Sequence, residues 1–214
     1  MREERAGLPI RAFASPREWE AWLATIPRTA PGLWLRIAKK GSGVASVTRL
    51  EAIEGALCHG WIDGQAAPYD EQSWLVRFTP RRPRSTWSEV NRAAAQALIA
   101  AGRMRETGLA EIAAAQADGR WEAAYAPASR AEVPEDLIAA LDASPEAKQA
   151  FATLDRTNRY AILYRVQEAK KPETRARRIA GFVAMLERGE TPYPRKRERV
   201  SRKDSVEGGT QVPG

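Results

Sequence analysis

The chain has 214 residues, of which 43% are hydrophobic and 29% charged, and its net charge at neutral pH is +7. This length accommodates one domain of ordinary size with an appended subdomain, and the composition is that of a globular protein. Charged residues interrupt the apolar stretches within a turn or two, which excludes a membrane-spanning helix, so we expect no membrane insertion.

The single cysteine, Cys58, excludes an intramolecular disulfide and is typical of a reducing compartment. The first nine residues are charged, but no apolar segment follows them, so we expect no secretory signal. Together these observations predict a cytoplasmic protein.

The basic excess is unevenly distributed. Residues 195–214 contain six basic and three acidic residues, so they carry +3 of the total of +7 and the remaining chain carries +4. The same segment lacks apolar periodicity, which predicts a disordered basic tail. A basic excess favours anionic partners by long-range attraction, although many proteins with such an excess bind no anion.

The N-terminal part alternates strand and helix signals. Residues 8–13 predict a short strand, and a capping box with a helix-starting proline follows at residues 15–18. Alternation over residues 33–38 predicts a strand with Leu33, Leu35 and Ile37 on one side. Residues 39–43, which include Lys39 and Lys40, predict a flexible basic loop.

A second capping box, at residues 48–51, opens a predicted helix that continues through Leu57. Residues 61–64 predict a strand running into a turn, and residues 74–79 predict a strand with Trp74, Val76 and Phe78 on one face. A third capping box at residues 86–89 precedes a helix with an apolar stripe at Val90, Ala94, Ala97, Leu98 and Ala101. A short helix over residues 109–117 should end at Asp118-Gly119.

The remaining sequence reads as helices. Pro134 and Ser144-Pro145 begin two of them, a longer amphipathic helix includes Tyr160, and Pro172 starts the last. We therefore predict an α+β fold, with a small, mostly antiparallel sheet covered by helices and an all-helical C-terminal part. The predicted boundaries are an α+β domain over residues 1–125, a helical subdomain over 126–194 and the tail over 195–214.

The sequence gives little support for a metal site or for a catalytic nucleophile. Cys58 and His59 are adjacent, and no second pair exists to complete a metal-binding set, so we predict no metal, no cofactor and no catalytic residue. His59 and Asp63 are nevertheless candidates for an acid–base pair in a pocket near Trp61. The alternative is a histidine at a helix C-terminus, stabilised there by the helix dipole.

The segment from Arg77 to Trp87 threads four arginines through two prolines and two aromatic residues. Proline stiffens such a loop, guanidinium groups pair with phosphate or carboxylate, and an aromatic ring stacks on a base. The alternative role is structural, because arginines in loops also bond carbonyls and carboxylates. The predicted anion-binding residues here are Arg77, Arg81, Arg82, Arg84 and Trp87.

A second basic cluster spans residues 170–178. Lys171, Arg175 and Arg178 share one helix face if the helix includes Lys171, since their spacing is i, i+4 and i+7. With Lys39 and Lys40 of the basic loop, they complete the predicted anion-binding set. A structural role remains the alternative for this cluster as well.

Several stretches resemble the bacteriocin-protection family, also called YdeI/OmpD-associated proteins. The matching segments are residues 56–65 with Trp61-Ile62-Asp63-Gly64, residues 77–87 with Arg77-Phe78-Thr79-Pro80-Arg81, and residues 119–121, 158–160 and 170–179. They extend from about Ser15 to Pro192.

The resemblance implies a role in protection against cationic antimicrobial peptides or bacteriocins, alongside an outer-membrane porin in the periplasm. It implies no catalytic residues at these positions. A basic protein repels cationic peptides, which disfavours direct sequestration. We therefore expect a non-enzymatic cytoplasmic accessory or stress-protection protein that binds an anionic partner, preferably nucleic acid. The alternative is a small-molecule binder or enzyme with a pocket near Trp61 and Asp63.

Overall fold

The structure, a computed structural model, describes residues 4–194. The chain divides into two compact units, Met1–Ser129 and Arg130–Gly214. The tail predicted for residues 195–214 lies outside the described residues.

The described part of the first unit contains a five-stranded sheet and four helices. In chain order they are β1 (Glu4–Arg5), β2 (Leu8–Arg11), α1 (Pro16–Thr25), β3 (Leu33–Ala38), α2 (Arg49–Cys58), β4 (Trp61–Pro68), β5 (Ser73–Pro80), α3 (Glu89–Ala100) and α4 (Glu106–Ala117). The strand order is β1-β2-β3-β5-β4, and every neighbouring pair except β2 with β3 is antiparallel. The small, mostly antiparallel sheet is confirmed.

Helices α1 and α2 cover one face of this sheet. Leu33, Leu35 and Ile37 alternate along β3 as predicted and are at most 3% exposed. They form one core cluster with Phe78 of β5 and Trp19 of α1. Because alternate residues of a strand point to opposite faces, a period of two buries one whole side of β3.

The opposite face of the sheet carries a smaller apolar cluster, formed by Leu8, Trp34, Ala67 and Leu75. Leu75 faces away from the inner core, as the alternation along β5 predicts.

The predicted helix starts at residues 15 and 48 are observed, with one correction. Thr48 and Glu51 form the complete capping box of α2. At α1 the hydroxyl of Ser15 accepts the N–H of Glu18, but the carboxylate of Glu18 accepts the N–H of Ala14 instead of that of Ser15.

The third predicted capping box is wrong. Helix α3 begins after Ser88, whose hydroxyl accepts the N–H of Asn91 at 3.1 Å. The backbone before it is held extended, because the carbonyl of Trp87 accepts the N–H of Tyr125. The apolar stripe shifts accordingly: Leu98 is buried, whereas Val90 is 57% exposed.

The predicted turn after residue 64 is also wrong, because β4 continues to Pro68. Asp63 pairs with Phe78 and Ala66 with Val76, so Gly64 and Gln65 stand together opposite Arg77. Two residues opposite one form a β-bulge, which locally interrupts the ladder between β4 and β5.

The described part of the second unit is all-helical, as predicted. It consists of α5 (Glu135–Asp142), α6 (Pro145–Ala152), α7 (Arg156–Glu168) and α8 (Pro172–Glu187). Leu137, Phe151, Ile162 and Leu186 belong to its single core cluster, to which all four helices contribute. Of the helices described in the two units, none is long and apolar enough to cross a membrane.

Candidate anion-binding site

The bulge between β4 and β5 borders a cleft of about 250 Å³. Gly64 and Gln65 of the bulge line it together with Arg77, Thr79 and Arg82, and we call it the arginine cleft. These five residues include two guanidinium groups and no carboxylate. The lining is therefore electrostatically suited to an anion.

Arg77 contributes a buried donor that the described residues leave unsatisfied. Its Nε atom is buried and has no hydrogen-bond partner. Its backbone lies inside the sheet, paired with Trp34 of β3 on one side and facing the bulge on the other. An unpaired buried N–H costs about 1–3 kcal/mol, so such a group indicates a place where a ligand or water completes the bonding.

The segment after β5 forms a tight turn that displays two further arginines. The N–H of Ser85 donates to the carbonyl of Arg82 at 2.9 Å, and the N–H of Arg82 donates to the hydroxyl of Ser85 at 3.0 Å. Arg84 occupies the left-handed region with a φ of 70°, which is uncommon for a residue with a side chain. The side chains of Arg82 and Arg84 are both exposed.

Contacts from distant residues brace this turn. Arg120 donates from Nη1 to the carbonyl of Ser85 at 2.7 Å, while its Nε bonds the carboxylate of Asp118 at 2.7 Å. The N–H of Tyr125 donates to the carbonyl of Trp87 at 3.0 Å. A loop held in one conformation loses less entropy when it binds a partner.

Arg81 and Trp87 lie inside the first unit, at 4% and 2% exposure. The guanidinium of Arg81 lies 3.6 Å from the ring centroid of Trp87, and its Nη1 donates to the carbonyl of Thr86. Trp121 also packs against Trp87, with 4.8 Å between the two ring centroids. Neither side chain can reach a bound polymer unless the loop opens.

The burial of Arg81 leaves its charge incompletely compensated. The pKa of Arg81 is lowered to about 10, chiefly by burial and to a smaller extent by the charge of Arg120, while Tyr125 and Asp63 act in the opposite direction. Arg81 is therefore still protonated at neutral pH. Its Nε and Nη2 atoms, like Nε1 of Trp87, are buried without a hydrogen-bond partner.

The two lysines of the basic loop differ in their surroundings. Lys39 donates from Nζ to the carbonyls of Asp70 and Glu71, at 2.8 and 3.1 Å. These two hydrogen bonds fix the charged Nζ of Lys39 at the turn between β4 and β5. Lys40 is exposed.

In the second unit, Arg175 and Arg178 bond the C-terminal turn of α7. Arg175 donates from Nη1 to the carbonyl of Val166 at 2.9 Å, and Arg178 donates to the carbonyl of Arg165. Arg175 also pairs with Asp136 of α5, with 2.8 Å between Nη2 and Oδ1. Lys171 precedes α8 as its N-cap residue and is exposed. Cationic groups at a helix C-terminus stabilise its unpaired carbonyls.

The three residues proposed for a pocket occupy different surroundings. Trp61 is 1% exposed and packs in the inner core, with its ring centroid 5.7 Å from that of Trp22. Asp63 accepts a hydrogen bond from Arg49 at 3.2 Å. His59 is the C-cap residue of α2 and lines a separate cleft.

Sequence reasoning missed the bulge residues Gly64 and Gln65, as well as Thr79 and the bracing Arg120. A glycine inside an apolar strand pattern is a recognised signal for a bulge and was available at Gly64. For Arg120 the sequence carries no such signal.

Within residues 4–194, no group of three or more His, Cys, Asp or Glu is arranged to hold a metal ion.

The two units match different family models. Residues 11–111, which contain the whole arginine cleft, match a domain of unknown function, DUF8412. Residues 130–189 match the family described as bacteriocin-protection, YdeI or OmpD-associated. The resemblance to the bacteriocin-protection family is confirmed for this part of the chain.

The bacteriocin-protection match covers the predicted segments 158–160 and 170–179, whereas segments 56–65 and 77–87 fall within the DUF8412 match. No curated protein and no solved structure matches the chain.

Proposed function

We propose that the protein is a bacteriocin-protection-type accessory protein whose first unit binds nucleic acid at the arginine cleft. The observation that carries this proposal is the buried, unpartnered Nε of Arg77 beside a lining without carboxylates. Arg82 and Arg84 extend the positive surface outward from the cleft on a braced turn. The proposed contact residues are therefore Arg77, Arg82 and Arg84.

The geometry supports phosphate recognition more than base recognition. Guanidinium groups pair with phosphate oxygens, and such contacts position a strand without reading its sequence. Trp87, the aromatic residue expected to stack on a base, is covered by Arg81 and Trp121. We therefore propose binding with little sequence preference, in which electrostatic attraction supplies most of the affinity.

The proposal includes a non-enzymatic role in stress protection and a cytoplasmic location. The family match of residues 130–189 supports the protective role, and the single thiol of Cys58, which is free and buried, supports the cytoplasmic location. Cell fractionation followed by immunodetection tests the location. Recovery of the protein in the periplasmic fraction would contradict it.

Binding is tested with labelled single- and double-stranded oligonucleotides over a series of salt concentrations. Three phosphate contacts predict a slope of log affinity against log salt of about −2 to −3 for duplex, because each neutralised phosphate releases counterions. The variant Arg82→Gln/Arg84→Gln should weaken binding and flatten this slope, and Arg77→Gln should weaken it further.

The matched control is Arg11→Gln/Arg156→Gln, which removes two exposed positive charges elsewhere. If it weakens binding as much as Arg82→Gln/Arg84→Gln, net charge and not the cleft determines affinity. Absence of binding to either oligonucleotide at low salt would refute the proposal.

A further inference from the structure

A second cleft in the first unit, of about 730 Å³, is lined by residues of α1, the end of α2 and the start of α4. Arg17 and Glu20 come from α1, His59 follows α2, and Arg105, Glu106 and Thr107 form the beginning of α4. We call it the histidine cleft. It shares no lining residue with the arginine cleft.

His59 is a polar side chain without a partner in this cleft. It is only 9% exposed, and among residues 4–194 no group forms a hydrogen bond with its imidazole. Burial lowers its pKa, as does the charge of Arg105, while Glu20 opposes both. The ring is therefore neutral at neutral pH and offers one N–H donor to the cleft.

The start of α4 adds a second, independent feature that favours an anion. This helix has 12 residues, and its N-cap residue, Arg105, makes no capping hydrogen bond through its side chain. The first N–H groups of a helix and the positive end of its dipole form a site for negatively charged groups.

The charges around the cleft leave two arginines available to a ligand. Arg17 and Arg105 are exposed, and neither forms an ion pair within residues 4–194. The carboxylate of Glu20 is already bonded by Arg103 at 3.0 Å, so its charge is largely compensated. Glu106 opposes an anion from the first turn of α4, which limits the affinity expected for a singly charged ligand.

We propose that the histidine cleft binds a small phosphate- or carboxylate-bearing molecule. Its anionic group lies at the start of α4 between Arg17 and Arg105, and it accepts a hydrogen bond from the imidazole of His59. An anion beside the ring stabilises imidazolium, so ligand binding raises the pKa of His59 and strengthens as the pH falls.

His59 is the one histidine of the chain, so its imidazole signals in an NMR spectrum report on this cleft alone. The experiment uses the full chain with any histidine tag removed, titrated with inorganic phosphate or with succinate at constant ionic strength. We expect a saturable shift of the His59 signals and an upward shift of its titration midpoint. Saturation with phosphate alone, with succinate alone or with both supports the site and identifies the anionic group it accepts.

Variants connect the signal to the proposed contacts. Arg17→Gln/Arg105→Gln should weaken binding about tenfold or more, because two charge-assisted contacts are lost. Glu106→Gln should strengthen it, because an opposing charge is removed. Arg11→Gln/Arg156→Gln and Arg82→Gln/Arg84→Gln should leave the titration unchanged.

Three outcomes would overturn the proposal. The first is the absence of a saturable shift with both anions. The second is an unchanged titration in Arg17→Gln/Arg105→Gln, which would indicate an adventitious ion only. The third is loss of the shift in Arg82→Gln/Arg84→Gln, which would place the bound anion in the arginine cleft. Unchanged tryptophan fluorescence checks that each variant is folded, and Glu106→Gln gives a test in the opposite direction.

Discussion

At the scale of the residue, Arg81 shows that a basic segment contains arginines with different roles. Arg82 and Arg84 are exposed on the braced turn, whereas Arg81 is 4% exposed and lies over the ring of Trp87. Two of its guanidinium nitrogens have no partner, so we expect its charge to add little net stability. We expect the packing of its aliphatic stem to contribute more.

This distinction gives a prediction for Arg81. Arg81→Met keeps a long side chain against Trp87 and removes the unpaired donors, so the free energy of unfolding should stay within about 1 kcal/mol of wild type. Arg81→Ala also removes the packing and should cost about 2 kcal/mol. Urea denaturation followed by tryptophan fluorescence measures both. Equal, large losses in the two variants would show that the guanidinium itself is bound in the fold.

His59 should make stability depend on pH near neutrality. Burial lowers its folded-state pKa below the unfolded value of 6.5, so the unfolded chain binds the proton more tightly. The contribution of His59 to the free energy of unfolding is therefore fully present above about pH 6.5, and it is lost as the pH falls through the folded-state pKa.

The urea midpoint of the wild-type protein should decrease as the pH is lowered from about 7.5 to about 5. The variant His59→Gln should show a smaller decrease. The chain has one histidine, so the comparison isolates this group. A profile of the same slope in His59→Gln would contradict the prediction and assign the dependence to carboxylates.

Local interactions are the part of the residue scale that the sequence predicts well. Thr48 and Glu51 cap α2 as predicted, because both partners lie within four residues. The burial of Arg81 depends instead on Trp87, Trp121 and Tyr125, which meet only after the first unit has folded. Alternation within the segment could not separate Arg81 from Arg82.

At the scale of elements, the contact between α2 and α4 depends on a glycine. A Cβ atom added at Gly108 would lie 2.4 Å from the carbonyl oxygen of Cys58 and 2.7 Å from that of Leu57. These are backbone atoms of the last turn of α2, which cannot move as a flexible side chain would. The close approach also brings His59 next to the start of α4.

Gly108→Ala should therefore destabilise the first unit by about 2–3 kcal/mol, because the two helices must separate. Gly181→Ala, in α8, is the matched control, since an added Cβ there meets no atom within 4 Å. It should stabilise its helix by about 0.5–1 kcal/mol, because alanine loses less conformational entropy than glycine. Tryptophan fluorescence follows the first variant and far-ultraviolet circular dichroism the second. A neutral Gly108→Ala would contradict the close packing.

Element prediction failed where partners outside the segment decide the structure. The alternation of β5 is strong, and its extent was predicted within one residue at each end. Strand β4 continues past Gly64-Gln65-Ala66, although these residues favour a strand weakly, because β5 supplies the hydrogen bonds. The bulge, and with it the arginine cleft, follows from that pairing and was not predicted.

At the scale of the whole molecule, the two units have separate cores and separate spectroscopic probes. The second unit has its own cluster, which includes Leu137 and Leu186. All seven tryptophans lie before residue 130: Trp19, Trp22, Trp34, Trp61, Trp74, Trp87 and Trp121. Tryptophan fluorescence therefore reports on the first unit, whereas circular dichroism reports on helices of both.

We expect each core to unfold independently of the other. The two probes should therefore give different urea midpoints for the wild-type chain. Arg175→Gln should shift the dichroism transition alone, by about 1 kcal/mol, because it removes the contacts of α8 with Asp136 and Val166. Arg177→Gln, an exposed neighbour, is the control. Coincident transitions in all three proteins would show that the units unfold as one.

The strand order has a consequence for how the chain is made. Strand β3 pairs with β5 and not with β4, so its apolar side chains emerge from the ribosome before Ser73–Pro80 has been synthesised. Until then β2 can pair with β3, and α1 and then α2 can cover its apolar face, but the edge that pairs with β5 remains open. An open apolar edge is the feature through which nascent chains associate with one another. Translation speed between residues 38 and 80 should therefore influence the yield of soluble protein, even though it leaves the finished fold unchanged.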